Sequence, residues 1–179
     1  MLTISTEHIK PSQRRLVTHT HTIAPQAEHL VRDRFGTLPP IHLGLFGDAN
    51  RWAETTAQAQ LSLEPGVANS IQYEHQRDVW KSRRKTAGIT ILAPAGVAIL
   101  INLRKLRTTR DINETLVHEL AHGHQLGSTQ AREQHLAYLQ HCWNVAALPR
   151  REFKRYERLV NRNEAEARKA ESLASQLPT

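Results

Sequence analysis

The sequence predicts one α+β domain in which a small sheet packs against helices. Its 179 residues are enough for one hydrophobic core, and 39% apolar with 23% charged residues is the composition of an ordinary globular protein. Short apolar runs bounded by Gly or Pro indicate strands, and longer stretches with apolar residues three or four positions apart indicate helices. The chain contains neither an apolar run long enough for a membrane span nor a secretory signal, so we expect a cytoplasmic protein without a membrane partner.

The N-terminal part predicts a tail, a helix and a strand. Residues 1–23 are polar and are expected to form a poorly ordered tail, in which His19 and His21 are exposed. Apolar residues at helical spacing, followed by a glycine, predict a first helix over 25–36. Alternating apolar residues in PPIHLGLFG predict a strand over 39–47.

The middle of the chain predicts a connection followed by a hairpin. Residues 48–87 show no clear period and predict a variable connection that contains one strand or helix. Residues 88–103, GITILAPAGVAILINL, are rich in Ile, Val and Leu but contain Pro94 and Gly96 at their centre. A helix would not tolerate that centre, so this segment predicts two strands joined by a turn.

A helix with a clear start and end is predicted over 111–126. Asp111 and Glu114 resemble a capping box with Asp in place of Ser or Thr, and Gly127 is suited to end the helix. The buried face is predicted from apolar residues at four-residue spacing: Ile112, Leu116 and Leu120.

This helix contains the pattern H-E-x-x-H, formed by His118, Glu119 and His122. Residues four apart lie on the same face of a helix, so both imidazoles can bind one metal ion. Neutral imidazoles suit zinc, which lowers the pKa of a bound water from about 15.7 to about 7. Glu119 would lie at the edge of such a site, where it can act as the general base. The pattern therefore predicts a catalytic zinc site.

A catalytic zinc usually has three protein ligands, so a third ligand is needed. The single cysteine, Cys142, cannot form a thiolate pair, which leaves histidines and carboxylates. The candidates are His124, Glu133, His135, His141, Glu164 and Glu166. His124 lies about 200° around the helix from His122 and is therefore a poor partner.

A second helix is predicted over 129–146, because Ser128 can cap it. On this helix His135 shares one face with Leu139 and Trp143 at four-residue steps. With two ligands on the preceding helix, we predict His135 as the third zinc ligand.

These motifs resemble the SprT-like (SprT/Spartan) zinc metallopeptidases over residues 86–148. The similarity rests on the strand AILINLRKL, the lead-in RDINETLVHELAHGH and the pattern R-E-x-H within REQHLAYLQHCW. The motif histidines and glutamate of this family match His118, His122 and Glu119, and its third zinc ligand matches His135. The resemblance implies a zincin-like metallopeptidase domain, with a small sheet packed on the H-E-x-x-H helix, and DNA-associated protein substrates.

A second resemblance leaves the third ligand open. The segment NEAEARKAESLASQLP, residues 163–178, is similar to the E-x-E-A segment of ImmA/IrrE-type peptidases, in which a glutamate is the third ligand. That family would use Glu166 here, whereas a solvated polar helix is the simpler interpretation of the segment. A further alternative is a DNA-associated regulator or scaffold that binds zinc without cleaving, although such a protein would not need Glu119.

For a zinc endopeptidase, we expect the strand GVAILINL, residues 96–103, to hold a protein substrate by strand addition. The candidates for stabilising the oxyanion are Tyr138, His141 and Tyr156.

The predicted elements divide the chain into a polar tail (1–23), a zincin-like domain (24–148, with the variable part 48–87) and a basic, polar helical segment (149–179).

Positive charge is the remaining feature of the sequence. Lys and Arg number 24 against 17 for Asp and Glu, a net charge of +7. Basic residues concentrate in KSRRK (81–85), LRKLRTTR (103–110) and RREFKRYER (150–158). These segments could contact the phosphate backbone of DNA or form a solvated cationic surface, and they contain few aromatic residues to stack on bases. Charge alone leaves both interpretations open.

Overall fold

The computed structural model describes all 179 residues and contains four strands and six helices. The strands are β1 (Leu2–Glu7), β2 (Ile41–Phe46), β3 (Gly88–Ala93) and β4 (Gly96–Asn102). The helices are α1 (Arg14–Phe35), α2 (Ala49–Leu61), α3 (Asn69–Ser82), α4 (Thr109–Gln125), α5 (Thr129–Cys142) and α6 (Arg150–Ala170). Short 3-10 segments cover Pro11–Gln13, Leu103–Lys105 and Glu171–Gln176. The α+β class predicted from the sequence is confirmed.

The sheet is mixed, with the strand order β1-β2-β4-β3. β1, β2 and β4 are parallel, and β3 pairs with β4 in the antiparallel direction. Leu43 at the centre of β2 pairs with Ile4 of β1 and Ile99 of β4. Parallel strands are usually buried on both faces. Here α1 and α4 cover one face and α2 covers the other, and none of the helices is long and apolar enough to cross a membrane.

The predicted hairpin over 88–103 is confirmed as β3 and β4. Gly96 has a φ of 141°, and a Cβ at this position would lie 2.0 Å from the carbonyl oxygen of Pro40, so only glycine fits. The expectation that β4 receives a substrate strand is corrected, because β2 and β3 pair with its two edges. The free edge on this side of the sheet belongs to β3.

Residues 1–23 are not the poorly ordered tail that the sequence predicts. β1 alternates Leu2 and Ile4 with small polar residues and pairs with β2 along its whole length. α1 begins at Arg14 and continues through Pro25, where the sequence predicts the helix to start. A proline in a helix interior removes one backbone hydrogen bond, but buried residues on both sides of it hold the helix against the sheet: Leu16, Thr20, Ile23, Ala27 and Val31.

Residues 48–87 form two helices where the sequence predicts a variable connection with one element. Asp48 caps α2, since its Oδ1 accepts hydrogen bonds from two backbone N–H groups of the first turn at 2.9 and 3.1 Å. Trp52 fixes α2 on the sheet, because its buried indole N–H donates to the carbonyl oxygen of Leu100 at 2.9 Å. α3 has no buried residue, which explains why its sequence shows no apolar period.

The predicted helix over 111–126 is confirmed as α4, with a different N-cap. Thr108 is the N-cap, and Asp111, at position N3, is the second partner in the capping box. The apolar face packs against α1 and the sheet through the residues that the sequence predicts as buried: Ile112, Leu116 and Leu120.

The C-terminal segment belongs to the same core as the rest of the chain. α6 and the 3-10 segment after it pack on α4 through four buried apolar residues: Ala167, Ala170, Ala174 and Leu177. The predicted boundary between 24–148 and 149–179 therefore does not separate two cores. The small alanine side chains let α6 approach α4 closely, which brings polar residues of the two helices together.

Candidate metal centre

The two motif histidines lie side by side on the face of α4 that is turned toward α6. Their Nε2 atoms are 3.1 Å apart, and their rings meet edge to face with centroids 4.8 Å apart. The side chains are 17% and 22% exposed for His118 and His122. Both therefore line a cavity while remaining partly shielded from water.

Glu164 of α6 completes the cluster from the opposite side. Its Oε2 lies 3.7 Å from Nε2 of His118 and 3.3 Å from Nε2 of His122. One ligand atom from each of the three residues lies within 4.8 Å of the others, so the group could hold a metal ion. Two imidazoles and one carboxylate form a donor set found in catalytic zinc sites. Partial burial alone would raise the pKa of Glu164. The attraction of His118, His122 and Arg168 for the carboxylate is larger in sum, so the pKa is lowered.

Each of the three side chains is held by a second residue. Oε1 of Glu171 lies 2.8 Å from Nδ1 of His118, and Nε of Arg168 donates to Oε1 of Glu164 at 3.0 Å. Protein groups that take up the outer nitrogen of a histidine fix its tautomer and ring orientation, leaving Nε2 free for a metal. The carboxylate of Glu171 is therefore the orienting partner of His118.

His122 is oriented by Gln125, one turn further along α4. Oε1 of Gln125 lies 2.7 Å from Nδ1 of His122. The amide group of Gln125 is fixed in turn, because its Nε2 donates to the carbonyl oxygen of Asn163 at 3.0 Å and to Oε2 of Glu166 at 2.9 Å. The two histidines and the carboxylate thus belong to one hydrogen-bonded network that joins α4 to α6.

Glu119 is buried beside the cluster but is not part of it. Oγ1 of Thr90, on β3, lies 2.8 Å from both Oε2 and the main-chain oxygen of Glu119. Burial raises the pKa of Glu119 to about 7, against the lowering effects of His122 and the Thr90 hydrogen bond. Gly88 leaves room for this side chain, since a Cβ there would lie 2.9 Å from Oε1 of Glu119.

A second pair of side chains, from α5 and α6, lies in the wall of the same cavity. Nδ1 of His135 is 2.6 Å from the hydroxyl oxygen of Tyr156. Burial lowers the pKa of His135 to about 4 and raises that of Tyr156 to about 12. Both are therefore uncharged near neutral pH. The cavity has a volume of about 420 Å³ and is also lined by Glu119, His118 and His122.

The structure places the predicted candidates for the third ligand in different surroundings. Glu164 is in the cluster, whereas His135 bonds to Tyr156 and Glu166 accepts a hydrogen bond from Gln125. Glu164 is among the candidates named from the sequence, and the packing of α6 on α4 brings it to the two histidines.

Of the remaining candidates, Glu133 is exposed on α5 and the others have contacts elsewhere. Nδ1 of His124 lies 3.1 Å from the carbonyl oxygen of Thr37, and Nδ1 of His141 accepts the N–H of Leu148 at 3.1 Å. The ring of Tyr138 stacks on that of Tyr156 with centroids 4.7 Å apart. Of the three candidates for oxyanion stabilisation, only Tyr156 lines the cavity.

No family model, no curated protein and no solved structure matches the chain. The site is therefore assigned on its own geometry.

The cluster predicts which residues hold the metal. We expect His118→Ala and Glu164→Gln to lose most of the bound metal, since each removes one of three ligands, while His135→Ala and Glu166→Gln keep about one equivalent. Elemental analysis of the four dialysed proteins measures this directly. Glu164→Gln and Glu166→Gln are a matched pair, because both make the same change on one helix. If Glu164→Gln keeps its metal and His135→Ala loses it, the site has three histidine ligands instead.

The role of Glu171 can be measured through metal affinity alone. We expect Glu171→Gln to weaken metal binding by about 10- to 100-fold, because the amide is a weaker acceptor for the N–H of His118. Competition with a chromophoric chelator gives the dissociation constant. Glu133→Gln, an exposed change on α5, is the control and should leave the affinity unchanged. Equal affinities in the two variants would show that Glu171 does not orient the ligand.

Proposed function

We propose that the protein is a zinc-dependent endopeptidase. The observation that supports this most is the placement of a buried, non-ligating carboxylate, Glu119, beside the cluster formed by His118, His122 and Glu164. A site that only binds a metal has no need for a buried acid next to the ligands, and burying one is unfavourable. A hydrolytic site needs such a group as a base.

Zinc is the metal that fits the donor set best. Magnesium and calcium prefer sites built from oxygen ligands, whereas imidazole nitrogens combined with one carboxylate suit zinc. Three protein ligands leave one coordination position for water or substrate. When bound, zinc would lower the pKa of a coordinated water to about 7 and polarise the scissile carbonyl group.

In the proposed reaction, Glu119 takes the proton of the attacking water and later passes it to the leaving amine. A general base must be aimed at the reacting atoms. The Thr90 hydroxyl fixes the carboxylate at 2.8 Å, and the same hydroxyl lies 2.8 Å from the main chain of α4. Thr90 is therefore a positioning residue that couples the base to β3.

An extended peptide is the substrate that suits the surroundings of the site. β3 is the edge strand of the sheet, and its residues Gly88, Ile89 and Thr90 line the cavity together with Glu119. An unpaired strand edge offers backbone N–H and carbonyl groups to a peptide in the β conformation. Such pairing would hold a peptide bond close to the base, whatever the side chains of the substrate.

His135 and Tyr156 are placed to assist on the α5 and α6 side of the cavity. Both are uncharged near neutral pH, and they are joined by a hydrogen bond of 2.6 Å. Neutral donors aimed at a developing oxyanion stabilise it strongly in a site shielded from water. We assign this role to the pair, with Tyr156 in preference to Tyr138 and His141 because it lines the cavity.

The identity of the third ligand distinguishes between the two family resemblances. A glutamate on a late helix supports the ImmA/IrrE-type arrangement over the SprT-like one, which would require His135. The residue is Glu164 rather than Glu166, so the similarity concerns the type of ligand and not its position within the E-x-E-A segment. The zincin-like character of the domain is part of the same proposal.

The base is tested by Glu119→Gln, which keeps the shape of the side chain and removes its basicity. We expect zinc content and unfolding temperature to be preserved, because the ligands are untouched. Cleavage of casein should fall by about 10²- to 10⁴-fold, the usual contribution of a general base.

Glu133→Gln serves as the control for the same assay, since it removes an exposed carboxylate of α5. It should cleave casein as wild type does. If zinc-loaded wild type cleaves neither casein nor a broad panel of unfolded proteins, the endopeptidase proposal fails, and the non-cleaving regulator or scaffold takes its place.

A further inference from the structure

The outward side of α6 presents a row of arginines that the candidate metal centre does not use. Its four members are Arg151, Arg155, Arg158 and Arg162. Their spacing of four, three and four residues places them in one stripe, about 16 Å long at 1.5 Å per residue. All four are exposed. Tyr156 and Glu164, in contrast, lie on the side of the helix that faces the cavity.

No member of this arginine stripe has an intramolecular ionic partner. The one ion pair formed by an arginine of α6 joins Arg168 to Glu164 at 3.0 Å. In each of the other two basic segments one residue is paired, Lys81 with Asp78 at 3.2 Å and Arg110 with Glu114 at 2.7 Å. Like charges three and four residues apart destabilise a helix. The stripe therefore costs stability that the fold itself does not compensate.

The stripe forms one wall of a groove between α6 and the start of α5. The groove has a volume of about 520 Å³, and Arg155, Arg158 and Arg162 line it opposite Ser128 and Gln134. No acidic and no aromatic residue is among its lining residues. The polar part of its lining thus consists of guanidinium groups together with serine and glutamine side chains.

We propose that this groove binds the phosphate backbone of nucleic acid. A linear row of guanidinium groups matches a linear polyanion, and the planar guanidinium suits bidentate contact with phosphate oxygens. Without an aromatic side chain to stack on bases, binding depends on the backbone and not on the base sequence. An acidic protein segment would gain affinity from apolar anchor residues, for which the groove offers only Ala131 and Leu159.

The proposal is independent of the peptidase assignment, because none of the four arginines touches the metal cluster. The stripe ends at Arg162, two residues before Glu164 and thus about 200° around the helix from it. A nucleic acid bound along the stripe would therefore lie on the side of α6 opposite the candidate metal centre.

The test compares two variants that each lose four positive charges. One has Arg151, Arg155, Arg158 and Arg162 replaced by Gln. The control has four exposed cations elsewhere replaced by Gln: Arg14, Arg34, Arg84 and Lys85. Fluorescence anisotropy with a labelled 20-base-pair duplex of mixed sequence, at several salt concentrations, gives the affinity and its salt dependence.

We expect the stripe variant to lose most of the binding, and the log-log salt slope to fall by about 0.9 for each phosphate contact that is lost. The control variant should keep the slope of wild type. Without nucleic acid, the stripe variant should unfold at the same temperature as wild type or higher, because repulsion along α6 is removed. The single change Arg158→Gln should reduce the slope by about 0.9 and serves as the test if the fourfold variant does not fold.

Several results would overturn the proposal. One is that the wild-type protein does not bind the duplex at 50 mM salt. Another is that the stripe and control variants lose binding equally, which would show that the affinity depends on net charge alone. A third is that a polyglutamate peptide binds as tightly as the duplex and also loses its affinity in the stripe variant. The groove would then be a site for acidic polypeptides.

Discussion

The contact between α4 and α6 determines what the candidate metal centre can be. His118 and His122 come from one helix, and Glu164 comes from another helix near the far end of the chain. They meet because α6 and the 3-10 segment after it pack on α4 through Ala167, Ala170 and Ala174. Larger side chains at these positions would push the helices apart and separate the carboxylate from the imidazoles.

The same contact supplies the residues that orient the ligands. Glu171 reaches His118 only because the chain continues along α4 after α6, and Gln125 joins His122 to Asn163. A site assembled in this way is rigid as long as the helices stay packed. Metal binding and folding of the C-terminal segment are therefore coupled, since bound metal would tie α6 to α4.

Burial is the common cause of the unusual acidity of three groups around the cavity. It raises the pKa of Glu119 to about 7, lowers that of His135 to about 4 and raises that of Tyr156 to about 12. In each case the poorly solvated surroundings oppose the charged form. The cavity thus combines one buried acid with a neutral donor pair, and this environment supports proton transfer better than simple metal storage.

The elements with strong local signals could be predicted from the sequence. α4, the β3–β4 hairpin and the positions of His118, Glu119 and His122 follow from apolar periodicity, Pro94 with Gly96, and the H-E-x-x-H spacing. β1 could not be predicted in this way, because it is a short edge strand in which small polar residues alternate with Leu2 and Ile4.

The residue that joins the two histidines in the cluster could not be predicted from the sequence, because this depends on how distant helices pack. His135 and Glu164 are both in the cavity wall, and only the position of α6 decides which of them reaches the two histidines. α3 was missed for a related reason, since it has no buried residue and thus no apolar period. Local patterns identify the helices that contain ligands, but tertiary packing selects among the candidates.

Anomalous diffraction at the zinc edge, from crystals of the zinc-loaded protein, would locate the metal directly. We expect one peak, bound by Nε2 of His118, Nε2 of His122 and the carboxylate of Glu164, with His135 still bonded to Tyr156. A peak bound by His135 in place of Glu164, or no peak between α4 and α6, would overturn the proposed metal centre.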